Sequence, residues 1–176
     1  NVTHNFGTAG TYTIRIRGSF PRIYFNFGGD RQKLLDISQW GSIAWTSMES
    51  AFEGCSNLNI SATDAPDLSG VTSMAKMFRL CTILNSPANI GAWNTETVTD
   101  MSGMFSEARA FDQPIGDWNT SAVIYMNDMF YEANAFNQPI GDWNTAAVTN
   151  MSYMFAEAPS FNQPIGDWNT AAVTNM

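Results

Sequence analysis

The sequence predicts an α/β solenoid of tandem repeats, each with one short strand and one short helix, capped at its N-terminal end by a β-hairpin. Three observations carry this prediction. A segment of the form Ile-Gly-Asp-Trp-Asn-Thr recurs at intervals of 25 residues. Between its copies, apolar residues follow a helical spacing. Near the N terminus, apolar and polar residues alternate as they do in a half-buried strand.

The repeat is nearly regular in the second half of the chain and degenerate in the first. Copies of the segment begin at Ile90, Ile115, Ile140 and Ile165, although the first has Ala in place of Asp. Two earlier units keep the Met and Phe positions, but the second has Pro66 where later units have Trp. The array therefore spans residues 33–176 as six units. The last stops at Met176 in mid-unit without a capping repeat, so we expect further repeats in the parent protein.

Each repeat divides into a predicted helix and a predicted extended rung. Five apolar residues at steps of three, three, one and three define one helix face: Val98, Met101, Met104, Phe105 and Ala108. Asp100, or Asn150 in a later unit, can cap such a helix. Pro and Gly within the following segment 111–118 exclude helix and predict a short rung and a turn. This plan is of the leucine-rich-repeat kind, in which stacked units bury Met and Phe columns. The Trp column is either core or faces a ligand.

The repeated motif closely resembles a known family. The segments 161–170 (Phe-Asn-Gln-Pro-Ile-Gly-Asp-Trp-Asn-Thr) and 148–155 (Val-Thr-Asn-Met-Ser-Tyr-Met-Phe) are similar to BspA-like leucine-rich-repeat surface proteins, and 51–58 (Ala-Phe-Glu-Gly-Cys-Ser-Asn-Leu) is similar to a variant of their motif. The resemblance covers residues 33–176. It implies an extracellular or cell-surface location and a role in adhesion and protein binding.

Residues 1–32 lie outside the repeats. Tyr12, Ile14 and Ile16 alternate with polar residues, segment 18–21 carries a turn signal, and apolar residues alternate again over 23–27. This pattern predicts a β-hairpin. The run 4–14 also resembles the closing strands of a PKD-like domain, so residues 1–32 are either the end of such a domain or a cap on the first rung.

Composition and motifs exclude several functions. Eight basic against sixteen acidic residues give a net charge of −8, which is unsuited to nucleic acid. No apolar run is long enough to span a membrane. His4 is the one histidine, and no nucleophile motif, phosphate loop or zinc-ligand cluster accompanies it. We therefore expect neither catalysis nor a cofactor.

Several polar columns recur with the repeat and admit alternatives. Stacked carboxylates about 5 Å apart repel, so Asp117, Asp142 and Asp167 are predicted either to cap turns or, more weakly, to bind calcium. A second acidic column must likewise be hydrated or neutralised. It comprises Glu107, Glu132 and Glu157.

An Asn column is predicted to form an inward ladder, and a Thr column raises a weak ice-binding alternative. The Asn column is Asn94, Asn119, Asn144 and Asn169; the Thr column is Thr95, Thr120, Thr145 and Thr170. Cys55 and Cys81 occupy equivalent positions of adjacent units, where later units have Ala. They are predicted to be either stacked free thiols or a disulfide.

The sequence favours a non-catalytic surface or secreted module that binds a protein or a glycan along an exposed rung edge. Its candidate ligand surface comprises Asp112, Gln113, Asn137, Gln138, Asn162 and Gln163. The alternative is a structural spacer, or a building block of an extracellular or viral assembly in which neighbouring copies are the partners. Near-identical units favour that alternative, because a specific site normally needs the units to differ.

Overall fold

A computed structural model gives the fold of the chain and describes residues 5–176, which form a stack of irregular coils. Two short 3-10 turns occur, at Arg31–Lys33 and Ile90–Ala92. Strands β1 (Asp36–Ile37) and β2 (Asn59–Ile60) pair in parallel, with Asp36 opposite Asn59 and Ile37 opposite Ile60. Single parallel bridges then join successive coils, for example Asp100 to Tyr125 and Tyr125 to Asn150.

The helix predicted in each repeat is wrong, because no α-helix occurs between residues 5 and 176. The five stretches at those places, called turn segments here, consist of consecutive β-turns. They are residues 48–55, 74–81, 101–108, 126–133 and 151–158. The regular rung strand is also missing, since the described chain holds only β1 and β2, each two residues long. The predicted α/β solenoid of leucine-rich-repeat type is therefore wrong.

Hydrogen bonding in the third turn segment explains why no helix forms. The amides of Met101, Gly103, Phe105 and Glu107 donate to main-chain oxygens of the next coil, at 2.7–3.0 Å. The amides between them close local turns, as from Met104 to the oxygen of Met101 at 3.2 Å. Every second amide is thus committed to the neighbouring coil and is not available for a helical bond to the residue four positions earlier.

The five turn segments share one pattern of backbone φ angles. The third and seventh residues of all five segments have positive φ, between 50° and 78°. Most of these residues are not glycine, so the conformation costs about 1 kcal/mol or more at each, which the bonds to the next coil offset. The changes of chain direction at these positive-φ residues keep the first, fourth, fifth and eighth side chains of each segment on the buried side. This arrangement reproduces the apolar spacing of a helix without a helix.

Equivalent residues stack on one another through the core, as the repeat register predicts. The rings of Phe105 and Phe130 are parallel with centroids 5.9 Å apart, and Phe155 follows Phe130 at 5.6 Å. Trp118 and Trp143 stack at 6.4 Å. The indole N–H groups of Trp118, Trp143 and Trp168 donate to main-chain oxygens of the preceding coil, as from Trp118 to Ile90 at 2.9 Å, whereas the buried indole N–H of Trp93 has no partner among the described residues. The Trp column is therefore core.

The predicted N-terminal β-hairpin is also wrong, since no strand lies between residues 5 and 35. Residues 25–27 instead lie along the first turn segment, where the amides of Phe25, Asn26 and Phe27 donate to its main-chain oxygens at 3.1–3.3 Å. Ile23 and Phe25 pack against the core. Further upstream the chain is exposed, with Ile14 at 70% of its possible surface. The division of the chain at residue 32 stays a prediction.

Candidate ligand-binding groove

The six residues predicted to form a ligand surface are joined in a hydrogen-bonded ladder. Oδ1 of Asp112 accepts the amide of Asn137 at 2.9 Å and the side-chain amide of Gln138 at 2.9 Å. Asn137 does the same for Asn162 and Gln163 in the next coil, at 2.9 and 3.1 Å. The polar atoms of these side chains are therefore largely used between coils, although the ladder is partly exposed.

The acidic and amide columns of the turns also differ from the predictions. Asp117, Asp142 and Asp167 are exposed, and their carboxylates cap no turn among the described residues. No group of three metal-ligating side chains occurs between residues 5 and 176. The Asn side chains fold back locally, as where Oδ1 of Asn94 accepts the amide of Glu96 at 3.1 Å. The predicted inward Asn ladder is therefore wrong.

The Thr column faces inward. Oγ1 of Thr95 donates to the main-chain oxygen of Asn119 at 3.0 Å, and Thr120 and Thr145 repeat the bond in the following coils. All three residues are 1% exposed. A flat, solvent-facing threonine array, which the ice-binding alternative requires, is therefore not formed by this column.

An ion-pair network neutralises part of the Glu column. Arg79 contacts Glu53 at 3.2 Å and Glu107 at 3.8 Å, and Arg109 contacts Glu107 at 3.9 Å and Glu132 at 2.8 Å. Arginines placed between successive glutamates relieve the repulsion expected of stacked carboxylates. Because the side chains of Arg79 and Arg109 are 37% and 54% exposed, we expect the network to add little stability.

Cys55 and Cys81 are buried free thiols, so the disulfide alternative is not realised in this structure. Sγ of Cys81 donates to the main-chain oxygen of Phe52 at 3.2 Å. Burial raises the pKa of Cys55 from its ordinary 9.0 to about 12, although the positive charge of Arg31 partly opposes the shift. Burial also raises the pKa of Cys81. Both groups are therefore protonated and unreactive at neutral pH.

The turn segments contain two variable positions that the sequence prediction did not single out. The third residue of each segment is different in all five coils, and so is the sixth. The third residues are Ser50, Lys76, Gly103, Asp128 and Tyr153; the sixth are Glu53, Arg79, Ser106, Tyr131 and Ala156. A column-by-column comparison of the units shows that these positions vary in an otherwise repetitive array, and this variation marks them as a candidate site.

This variation creates a groove of about 280 Å³ across three coils. Small residues of the middle coil, Gly103 and Ser106, form its floor, because neither fills the space that larger residues occupy above and below. Lys76 and Arg79 line one side. Asn127, Asp128 and Tyr131 line the other, and Ser102 completes the lining. The groove volume is near the lower end of the range for small-molecule sites.

Ser106 contributes an unused hydrogen-bonding group to the groove. The residue is 4% exposed, and its hydroxyl makes no hydrogen bond with any residue from 5 to 176. The opposite wall is ordered by its own contacts, since Nδ2 of Asn127 donates to Asp128 at 2.9 Å and Nδ2 of Asn150 donates to Asn127 at 3.3 Å. A free hydroxyl on a largely buried residue, beside fixed polar groups, is suited to holding a small polar ligand.

The hydroxyl of Ser102, which lines the groove, donates to the carboxylate of Asp100 at 2.6 Å. Within residues 5–176, no helix is long and apolar enough to cross a membrane. His4 lies outside the described residues.

Comparison with known proteins places the chain in one family. The sequence matches the family described as "Mycoplasma protein of unknown function, DUF285" over residues 23–115, 46–145 and 83–176. No curated protein and no solved structure matches the chain. Because the three overlapping matches together extend from residue 23 to residue 176, the chain belongs to the DUF285 family.

Proposed function

We propose that the chain is a non-catalytic binding module of a BspA-type protein, secreted or displayed at the cell surface, which holds a protein or glycan ligand at the groove of the turn segments. The observation that carries the proposal is the groove itself, formed where repeated side chains are replaced by different ones. The resemblance of segments 148–155 and 161–170 to BspA-like surface proteins supports the location.

The ladder of Asp112 and its equivalents is a less suitable ligand surface than the groove. Its acceptors already serve the next coil, so a ligand would have to compete with bonds that hold the stack together. The hydroxyl of Ser106 in the groove makes no hydrogen bond to another coil within the described chain, so a ligand would not have to displace one.

A binding screen with a groove-filling variant tests the proposal. Ser106→Tyr puts into the middle coil the residue that the next coil already carries at the same position, Tyr131, so the stack has a precedent for it. Labelled wild-type chain is screened on arrays of extracellular proteins and glycans. The control Tyr125→Ala removes an exposed ring outside the groove.

We expect at least one ligand of the wild type that Tyr125→Ala retains and Ser106→Tyr loses. A ligand bound equally by all three proteins places binding elsewhere and overturns the groove assignment. No ligand at all favours the structural alternative, a spacer or assembly block. The near-identity of the regular coils supports that alternative, and concentration-dependent association in sedimentation velocity would identify the assembly form.

For the N-terminal segment, residues 1–32, we propose that its exposed upstream part is the end of a PKD-like domain, the alternative being a cap on the first coil. The resemblance of the run 4–14 to the closing strands of such a domain supports this, as does the exposure of Ile14. Deleting residues 1–19 should then leave the thermal midpoint of the stack unchanged. A clear fall in the midpoint would assign the segment to the stack.

A further inference from the structure

We propose that the groove is a subsite for one neutral pyranose unit of a glycan. This inference rests on the proposed binding function and names the ligand class of the same groove. It combines the size of the groove, the kinds of groups that line it and the distribution of charge around it.

The lining matches the two surfaces of a sugar ring. A pyranose presents neighbouring hydroxyls, which both donate and accept hydrogen bonds, and a face of C–H groups that packs on an aromatic ring. The groove supplies a free hydroxyl from Ser106, planar polar groups from Asn127 and Asp128, and the ring of Tyr131. Opposite them, the aliphatic stem of Lys76 lies over Gly103, with Cγ 3.4 Å from where a Cβ on that glycine would stand.

The polar groups of the groove are held in place before a ligand arrives. Asn127 is fixed by Asp128 on one side and Asn150 on the other, at 2.9 and 3.3 Å. The guanidinium of Arg79 is held by Glu53 at 3.2 Å. Groups that are already ordered lose little conformational entropy on binding, which matters for a ligand that buries little apolar surface.

The charge of the array favours a neutral sugar over an acidic one. Residues 34–176 contain fifteen acidic side chains and three basic ones, Lys76, Arg79 and Arg109. Both arginines are paired with glutamates. A polyanionic glycosaminoglycan would meet one unpaired lysine in a strongly acidic surface, whereas a neutral pyranose meets no net repulsion.

Ligand-observed saturation-transfer NMR on the full 176-residue chain tests the inference. The probes are the methyl glycosides of glucose, galactose, mannose and N-acetylglucosamine, with a heparin tetrasaccharide as the polyanion. The proteins are the wild type, Ser106→Tyr, Ser106→Ala, Tyr131→Ala and the control Tyr125→Ala. Ala already occupies the position of Tyr131 in the last turn segment, as Ala156, so Tyr131→Ala also tests the site if Ser106→Tyr fails to fold.

We expect one or more methyl glycosides to show saturation transfer with the wild type and with Tyr125→Ala. The signal should vanish with Ser106→Tyr, and Tyr131→Ala should weaken binding by tenfold or more. Ser106→Ala should weaken it about three- to tenfold, the effect of losing one hydrogen bond.

Two results overturn the saccharide assignment. One is absence of transfer from every glycoside, and the other is transfer from the heparin fragment alone. The binding screen separates this failure from failure of the proposed function. If a protein ligand binds the wild type but not Ser106→Tyr, and no glycoside competes with it, the groove remains a binding site. Only its assignment to a sugar then fails.

Discussion

A Cβ atom placed on Gly116 would stand 2.6 Å from the main-chain oxygen of Pro139 in the next coil. That separation is shorter than real Cβ contacts allow, and the obstacle is backbone, which cannot rotate away. We therefore predict that Gly116→Ala lowers the free energy of unfolding by about 1–3 kcal/mol, as overpacking does elsewhere. Denaturant unfolding measures the change.

The chain offers a matched control for this prediction. Gly166 occupies the same repeat position, but nothing lies within 4 Å of a Cβ placed there. Gly166→Ala should therefore leave the unfolding free energy within about 0.5 kcal/mol of wild type. Equal losses in the two variants would mean that helical or turn propensity, and not the next coil, sets the requirement for glycine.

Substitutions at Asp112 test whether the polar ladder stabilises the stack. Asp112→Ala removes the acceptor of the Asn137 amide, and we expect a loss of about 1 kcal/mol, the usual contribution of such a bond. Asp112→Asn should retain wild-type stability, because Asn137 performs the same role one coil later. Chemical denaturation of both variants provides the comparison.

Asn162→Ala is the corresponding control, because the side chain of Asn162 accepts no hydrogen bond within the described residues. Its unfolding free energy should equal that of the wild type. If Asp112→Ala also has no effect while ligand binding is lost, the ladder is the ligand surface after all, and the groove assignment fails.

The sequence predicted the stacking but not the local backbone. Phe105, Phe130 and Phe155 stack because their 25-residue register places them in one column, and the register is visible in the sequence. The helix prediction failed because apolar spacing reports only which side chains are buried. Positive φ at Asp128 and Glu132 gives the same burial pattern as a helix turn. Whether a helix or a series of turns forms depends on hydrogen bonds from the amides to the next coil. A local residue pattern carries no information about those bonds.

The groove escaped prediction for a related reason. Gly103 and Ser106 are ordinary residues in isolation, and they form a floor only because Lys76 and Tyr131 stand in the coils on either side. The sequence did contain a signal, since these two columns change in every unit. The sequence prediction instead chose the Asp112 column as the ligand surface. In that column, variation between Asp and Asn preserves one hydrogen bond.

The thiols predict an alkaline dependence of stability. In the folded chain the pKa of Cys55 is raised to about 12 from 9.0, so the folded state keeps its proton where the unfolded state releases it. Stability is therefore unaffected by this group below pH 9 and falls as the pH rises from about 9 towards 12. Thermal midpoints of unfolding between pH 7 and 11, a range that includes the ordinary pKa of a thiol, measure this fall in stability.

The double variant Cys55→Ala/Cys81→Ala isolates the contribution of the thiols, since later coils carry Ala108 and Ala133 at this position. Its midpoint should fall less steeply than that of the wild type over the same pH range. In the wild type, Ellman's reagent should react only after unfolding. Rapid reaction of the native chain at pH 8 would place the thiols at the surface and contradict the burial.

Two substitutions in the Phe columns test how closely the core depends on repeated residues. Phe130 is fully buried and stacks on Phe105, Phe155 and Phe136, with centroids 5.9, 5.6 and 4.0 Å away. Phe130→Ala should cost about 3–5 kcal/mol, as large-to-small core changes do. Phe136→Leu should cost only about 1 kcal/mol, because its column already accepts Leu84 in an earlier coil.

Urea unfolding of both variants gives the comparison, with Tyr125→Ala as an exposed aromatic control. Each coil contacts its neighbours, so a cavity at Phe130 weakens two interfaces at once, and this is why its predicted cost is large. If Phe130→Ala unfolds at the wild-type midpoint, the rings do not stack in solution and the coil register is wrong. If Phe136→Leu costs as much as Phe130→Ala, the column tolerates no exchange, and the Leu residues of the early coils reflect a different packing.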